Sequence, residues 1–121
     1  MSNDYGSKRV VVGAHYGLRD FLAQRATASL MVVFTLVLLL RVLFTSGPID
    51  YATWAGIFAN PWMKALTFAT FVALAWHAWV GVRDIWMDYV KPMGVRLVLH
   101  VFTIIWLVAC LGAAVQALWR L

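Results

Sequence analysis

The sequence predicts an all-α integral membrane fold with three transmembrane helices. Three observations carry this. First, 64% of the 121 residues are hydrophobic and only 12% are charged, where soluble domains are nearer half apolar and a quarter charged. Second, mean hydropathy is +0.82, an apolar excess that so short a soluble chain has too little polar surface to cover. Third, the apolar residues fall in three long runs without strict alternation, too long for strands and long enough to cross a bilayer core about 30 Å thick.

The first span is expected over 26–44, with an unbroken apolar centre from Ala28 to Leu40. Thr45-Ser46-Gly47-Pro48 breaks the chain after it. Between Asp50 and Trp62 a short interfacial helix is expected, with Tyr51, Trp54, Phe58 and Trp62 at headgroup level. Asn60-Pro61 then opens the second span, with proline at a tolerated first-turn position. That span covers 62–85 and continues as helix toward Tyr89, before Lys91-Pro92 closes it. The third covers 94–119. The expected organisation is a cytoplasmic N-terminal segment, 1–24, and a three-helix membrane domain, 25–121. The N-terminal segment has charge and glycine but no apolar core, so it does not read as a signal peptide.

Orientation follows from the cations near the span ends. Seven of them (Lys8, Arg9, Arg19, Arg25, Arg83, Lys91 and Arg96) lie on one side, and three (Arg41, Lys64 and Arg120) on the other. The N-terminus and the second loop are therefore expected in the cytoplasm and the C-terminus outside. The formal charge of +5 reflects these flanking residues, and nothing suggests nucleic-acid binding. Cys110 is the single cysteine, which excludes an internal disulfide, and its apolar run suggests a buried, inert thiol. No phosphate loop, zinc spacing or nucleophile triad is present.

His77 is the most informative residue. It stands inside the second span, in Ala75-Trp76-His77-Ala78-Trp79, where an ionisable side chain is costly and must face protein, water or a cofactor. Two readings are open: a neutral imidazole hydrogen-bonded to a neighbouring helix, or an axial ligand of haem iron. His77, Gly81, Asp84 and Asp88 stand at i, i+4, i+7 and i+11 and so share one helical stripe. Gly81 lets a flat cofactor or a partner helix approach the backbone. A second ligand can come from His100 in the third span, at the cost of about a turn's difference in depth, or from a partner subunit. His15, outside the spans, is a poor candidate. Tyr89, next to Asp88, is either an interfacial aromatic or a hydrogen-bond donor to a quinone carbonyl. Arg25, at the start of the first span, is either a snorkelling anchor or a partner for an acidic cofactor group such as a haem propionate.

Several fragments occur in a recognisable order: Asp20-Phe21-Leu22-Ala23-Gln24-Arg25-Ala26-Thr27-Ala28, then His77-Ala78-Trp79-Val80-Gly81, then Asp88-Tyr89-Val90-Lys91-Pro92 and Arg96-Leu97. From about Gly17 onward the chain resembles the small hydrophobic membrane anchor of bacterial succinate dehydrogenase, of the cytochrome b556 type. The resemblance implies half of a heterodimeric haem-binding helical bundle in the inner membrane. A second anchor, the cytochrome b large subunit, would supply the other haem ligand, so His100 would not. An iron–sulfur subunit and a flavoprotein subunit would dock on the cytoplasmic face and pass electrons from succinate to ubiquinone. On this match His77 corresponds to the axial ligand of haem b, Tyr89 to the ubiquinone-bonding tyrosine with Asp88 beside it, and Arg25 to the arginine of the haem and quinone region. The resemblance leaves the roles of Arg83 and Asp84 open. The rival expectations are a fumarate reductase anchor, a small proton-linked transporter using Asp84, Asp88 and His77, and a purely structural membrane subunit.

Overall fold

The computed structural model describes residues 15–121, with side chains from Gly17 onward. Four helices follow one another: α1 (His15–Leu43), α2 (Tyr51–Ala59), α3 (Pro61–Tyr89) and α4 (Met93–Trp119). Among the described residues there is no strand. The all-α architecture is as expected, and α1, α3 and α4 are long and apolar enough to cross a membrane.

The first helix departs from its expected bounds. It starts at His15, well before Ala26, and its 29 residues make it about 44 Å long at 1.5 Å per residue. Apolar length marks where a helix crosses hydrocarbon, not where it begins. Between His15 and Ala26 the chain carries no proline, and Leu18, Phe21 and Leu22 continue the helical apolar spacing. Of the expected N-terminal segment, 1–14 lies outside the described residues, and the remainder is helical.

Local chemistry explains each boundary. At the end of α1 the Thr45 hydroxyl donates to the Arg41 carbonyl at 2.6 Å, and Gly47 takes the left-handed backbone, φ 88°, that side chains disfavour. The Asp50 carboxylate caps α2 by accepting from the Thr53 N–H at 2.9 Å. That backbone bond, aided by the Thr53 hydroxyl, holds the Asp50 carboxyl below its ordinary range. The Asn60 side-chain oxygen accepts from the N–H groups of Trp62 and Met63 at 2.9 and 3.4 Å. Pro61, lacking an N–H, begins α3 where none is needed. Helix α3 ends at Val90, which adopts extended backbone. Pro92, two residues on, cannot continue the helical bonding.

Helix α3 is the hub, packing against α1, α4 and α2. Its buried residues, Met63, Thr67, Thr70, Ala73 and Val80, are mostly small, which lets helix backbones approach where no hydrophobic effect drives association. The two threonine hydroxyls donate to the carbonyls four residues earlier, at 2.7 and 2.8 Å, so their burial leaves no polar group unmatched. By contrast, no residue in the most apolar stretch of α1 is buried. Leu36, Leu39 and Leu40 on α1, and Ile105, Trp106 and Val108 on α4, present open apolar surface. Lipid or other subunits must cover it.

Candidate functional site

Two polar stripes meet between α1 and α3. On α1, Asp20, Gln24 and Thr27 stand at i, i+4 and i+7, one above the other. On α3, His77, Gly81 and Asp84 form the same pattern. The helices run antiparallel, so the stripes pair in reverse order. Asp20 forms an ion pair with Arg83, whose Nε stands 4.0 Å from Asp84 Oδ1. One turn deeper, Gln24 lies across from Gly81: a Cβ added there would sit 3.8 Å from Gln24 Nε2. Deeper still, Thr27 Oγ1 lies 3.0 Å from His77 Nδ1.

The hydrogen bonds at Thr27 decide which ring nitrogen carries the proton. Thr27 Oγ1 is 2.6 Å from the Ala23 carbonyl oxygen, a separation that needs a proton between the two oxygens. A carbonyl has none to give, so the single hydroxyl proton points at Ala23. The hydroxyl lone pair then faces His77, and Nδ1 must be the donor. His77 thus carries a proton on Nδ1, which in the neutral ring leaves the Nε2 lone pair free. Among the described residues Nε2 has no hydrogen-bond partner.

His77 also joins two grooves. One, of about 500 Å³, has the polar lining: Asp20, Gln24, Arg25 and Asp84, with Gly17, Phe21, Ala28, His77 and Val80. The other, of about 380 Å³, is lined by His77, Ala28, Met31, Val32, Thr35 and Leu36. Only His77 and Ala28 belong to both, so the imidazole stands where polar lining gives way to apolar lining. Arg25 is exposed along the first groove, its guanidinium 5.0 Å from the centre of the Phe21 ring. Gln24 Oε1 is buried and has no hydrogen-bond partner. A larger groove, about 640 Å³, opens at the other end of the molecule between α1 and α2, with Arg41 its single charged lining residue. Size alone does not make it the better site, because it contains no group able to ligate a metal.

The expected residues separate into two places. Arg25 and His77 share a groove. Asp88 and Tyr89 do not line it: they stand exposed at the end of α3, with Tyr89 81% accessible and about 18 Å along the helix from His77. The stripe read along α3 therefore faces α1 at His77, Gly81 and Asp84, and Asp88 lies beyond it. His100 turns away from the site. Its ring meets Trp79 edge to face, 5.7 Å between centroids, and Trp79 is two residues, about 200° of helical turn, from His77. The two histidines thus lie on different sides of α3, which removes the pairing within the chain that depth alone allowed. Among the described residues no group of three or more His, Cys, Asp or Glu side chains gathers as a metal site. A haem iron, by contrast, would take a single side chain from this chain.

Asp20, Gln24 and Thr27 were not singled out from the sequence, although the signal was there: the same i, i+4, i+7 polar spacing on α1 that stood out on α3. The partner of Arg83 was likewise hidden, since Asp20 is 63 positions away.

In sequence, the chain matches known proteins. Residues 2–114 fit the family described as succinate dehydrogenase/fumarate reductase transmembrane subunit. The chain belongs to this family. Within it, the succinate dehydrogenase hydrophobic membrane anchor subunit of Coxiella burnetii is 35% identical over 103 residues, covering 85% of this chain and 89% of that protein. The resemblance drawn from the sequence fragments is borne out, and the family membership makes this chain a membrane subunit of a succinate:quinone oxidoreductase.

Proposed function

We propose that the chain is the hydrophobic anchor of a succinate:ubiquinone oxidoreductase, with His77 as one axial ligand of haem b. The observation that carries this is the state of His77: a half-buried imidazole whose Nδ1 is engaged by Thr27 and whose Nε2 lone pair is free between two grooves. A neutral histidine that merely tied two helices together would leave Nε2 an unmatched polar atom in the membrane, a cost that a bond to iron would remove. The other groups present fit the same cofactor. Arg25 offers a guanidinium to a propionate on the polar side, and the unpartnered Gln24 Oε1 can accept a bond there. The second ligand would come from the second anchor, the cytochrome b large subunit, across the open face of α1. When bound, the haem supplies a one-electron carrier of low-spin b type.

Ubiquinone is assigned to the cytoplasmic end of α3. There Tyr89 would donate a hydrogen bond to a quinone carbonyl, with Asp88 beside it. The exposure of Tyr89 supports a pocket completed by the second anchor and the iron–sulfur subunit. The flavoprotein subunit would dock through the iron–sulfur subunit on the same face. The cation bias supports an inner-membrane location with a cytoplasmic N-terminus and a periplasmic C-terminus. In this orientation the turns of α1 before the 25–121 domain project toward the soluble subunits. The family also includes fumarate reductase subunits. The relative named for succinate dehydrogenase supports electron flow from succinate to quinone.

The test is a dithionite-reduced minus oxidised spectrum of the assembled complex, wild type and His77→Ala. A b-type band lost or altered in the variant is expected. An intact wild-type complex without such a band, or a band untouched by His77→Ala, overturns the ligand assignment. In the same complex Tyr89→Phe is expected to raise the KM for quinone about two- to tenfold, the loss of one neutral hydrogen bond, with the haem band unchanged. An unaltered KM removes the quinone contact.

A further inference from the structure

We propose that Thr27 is a positioning residue for the haem iron: through Nδ1 of His77 it sets the ring's tautomer, orientation and donor strength. The inference rests on the haem reading above and adds a residue to it. Two hydrogen bonds in series carry it. His77 Nδ1–H donates to Thr27 Oγ1 at 3.0 Å, and the Thr27 hydroxyl donates to the Ala23 carbonyl at 2.6 Å.

The first consequence is a choice of nitrogen. With the hydroxyl proton committed to Ala23, a proton on Nε2 would leave two lone pairs, on Nδ1 and Oγ1, facing each other. The arrangement therefore holds His77 in the one tautomer that presents Nε2 to a metal. The second consequence is electronic. A histidine that ligates through one nitrogen and donates from the other becomes a more basic ligand, and such outer partners tune the metal. Stronger donation favours ferric over ferrous iron and lowers the midpoint potential. The third is geometric: α1 holds the ring of a residue on α3, so the ligand plane is fixed by the helix pair and not by the His77 rotamer alone. Threonine in a membrane helix commonly donates to its own backbone, and Thr35 does so at 2.8 Å. Thr27 is distinguished by using its remaining lone pair on an imidazole of another helix.

The experiment uses the assembled complex with Thr27→Val, which keeps the shape and removes the hydroxyl, and Thr27→Ser, which restores it. Midpoint potential and the g-anisotropy of the ferric haem are read, neither of which depends on turnover. Thr27→Val is expected to raise the potential, with Thr27→Ser near wild type. A tenfold loss of ferric over ferrous preference would read as about 59 mV for one electron. Loss of haem from an assembled Thr27→Val complex, with haem kept in Thr27→Ser, supports the same role. A Thr27→Val complex with wild-type potential and g-values overturns it. If Thr27→Val fails to assemble, the wild-type complex decides: electron–nuclear coupling of the remote imidazole nitrogen must show a hydrogen-bonded N–H, and a free N–H overturns the proposal. Failure of the haem reading looks different, because the wild-type complex then has no band that His77→Ala can alter.

Discussion

The two faces of α3 are built on opposite principles. Toward α1 the contacts are polar and ordered by depth: the Asp20–Arg83 ion pair, Gln24 over Gly81, then Thr27 on His77. Toward α4 they are aromatic and apolar. Phe68 meets Trp119 edge to face at 5.6 Å, and Trp79 meets His100. An apolar groove of about 310 Å³ opens beside Phe71, Leu74 and Cys110. The main polar link on that side is Trp86 Nε1 donating to Thr103 Oγ1 at 2.9 Å. In lipid, apolar contact gains no hydrophobic energy, so the α4 face depends on shape and dispersion. The α1 face keeps polar groups that are costly in a membrane, which is sensible only where a ligand or another subunit uses them. Arg83 stands between the two, paired to Asp20 on one side and 5.9 Å from the Trp79 ring on the other.

Changes on the two faces should therefore have different effects. The largest effect is expected at Gly81. A methyl group there meets Gln24 at ordinary contact distance, so Gly81→Ala should be tolerated. Gly81→Leu must push α1 away, at about 1–3 kcal/mol, and should displace Thr27 from His77. Thermal dissociation of the complex and the spectrum of the proposed haem should both shift in Gly81→Leu and both stay at wild-type values in Gly81→Ala. A silent Gly81→Leu would break the claim that α1 and α3 are in close register. The smaller effect is expected on the other face. Thr103→Val removes the acceptor of Trp86 at a cost of about 0.6 kcal/mol, typical of such bonds between membrane helices. It should lower thermal stability slightly and leave the haem spectrum alone. A spectral change in Thr103→Val would show that the α4 face also supports the site, and would collapse the contrast.

The Cys110 thiol fits its side of this contrast. It is free and exposed, on the apolar groove beside α3, where lipid or another subunit meets it, so it is not buried within this chain.

Much of the molecule was legible in advance because membrane insertion is a one-dimensional problem. Length and hydropathy of each run decide which segments cross, and caps such as Asp50, Asn60 and Pro61 mark where helices start, since both act on neighbouring residues. The cost of an ionisable group in hydrocarbon singled out His77 by itself. What needed the tertiary structure was every relation between helices: that α1 begins at His15, that Asp20 answers Arg83, that Thr27 holds His77, and that His100 looks the other way. Helical periodicity orders residues around one axis and says nothing about the rotation of one helix against another. That rotation is set by which small and polar side chains fit together, and it decides which face of α3 lines the candidate site.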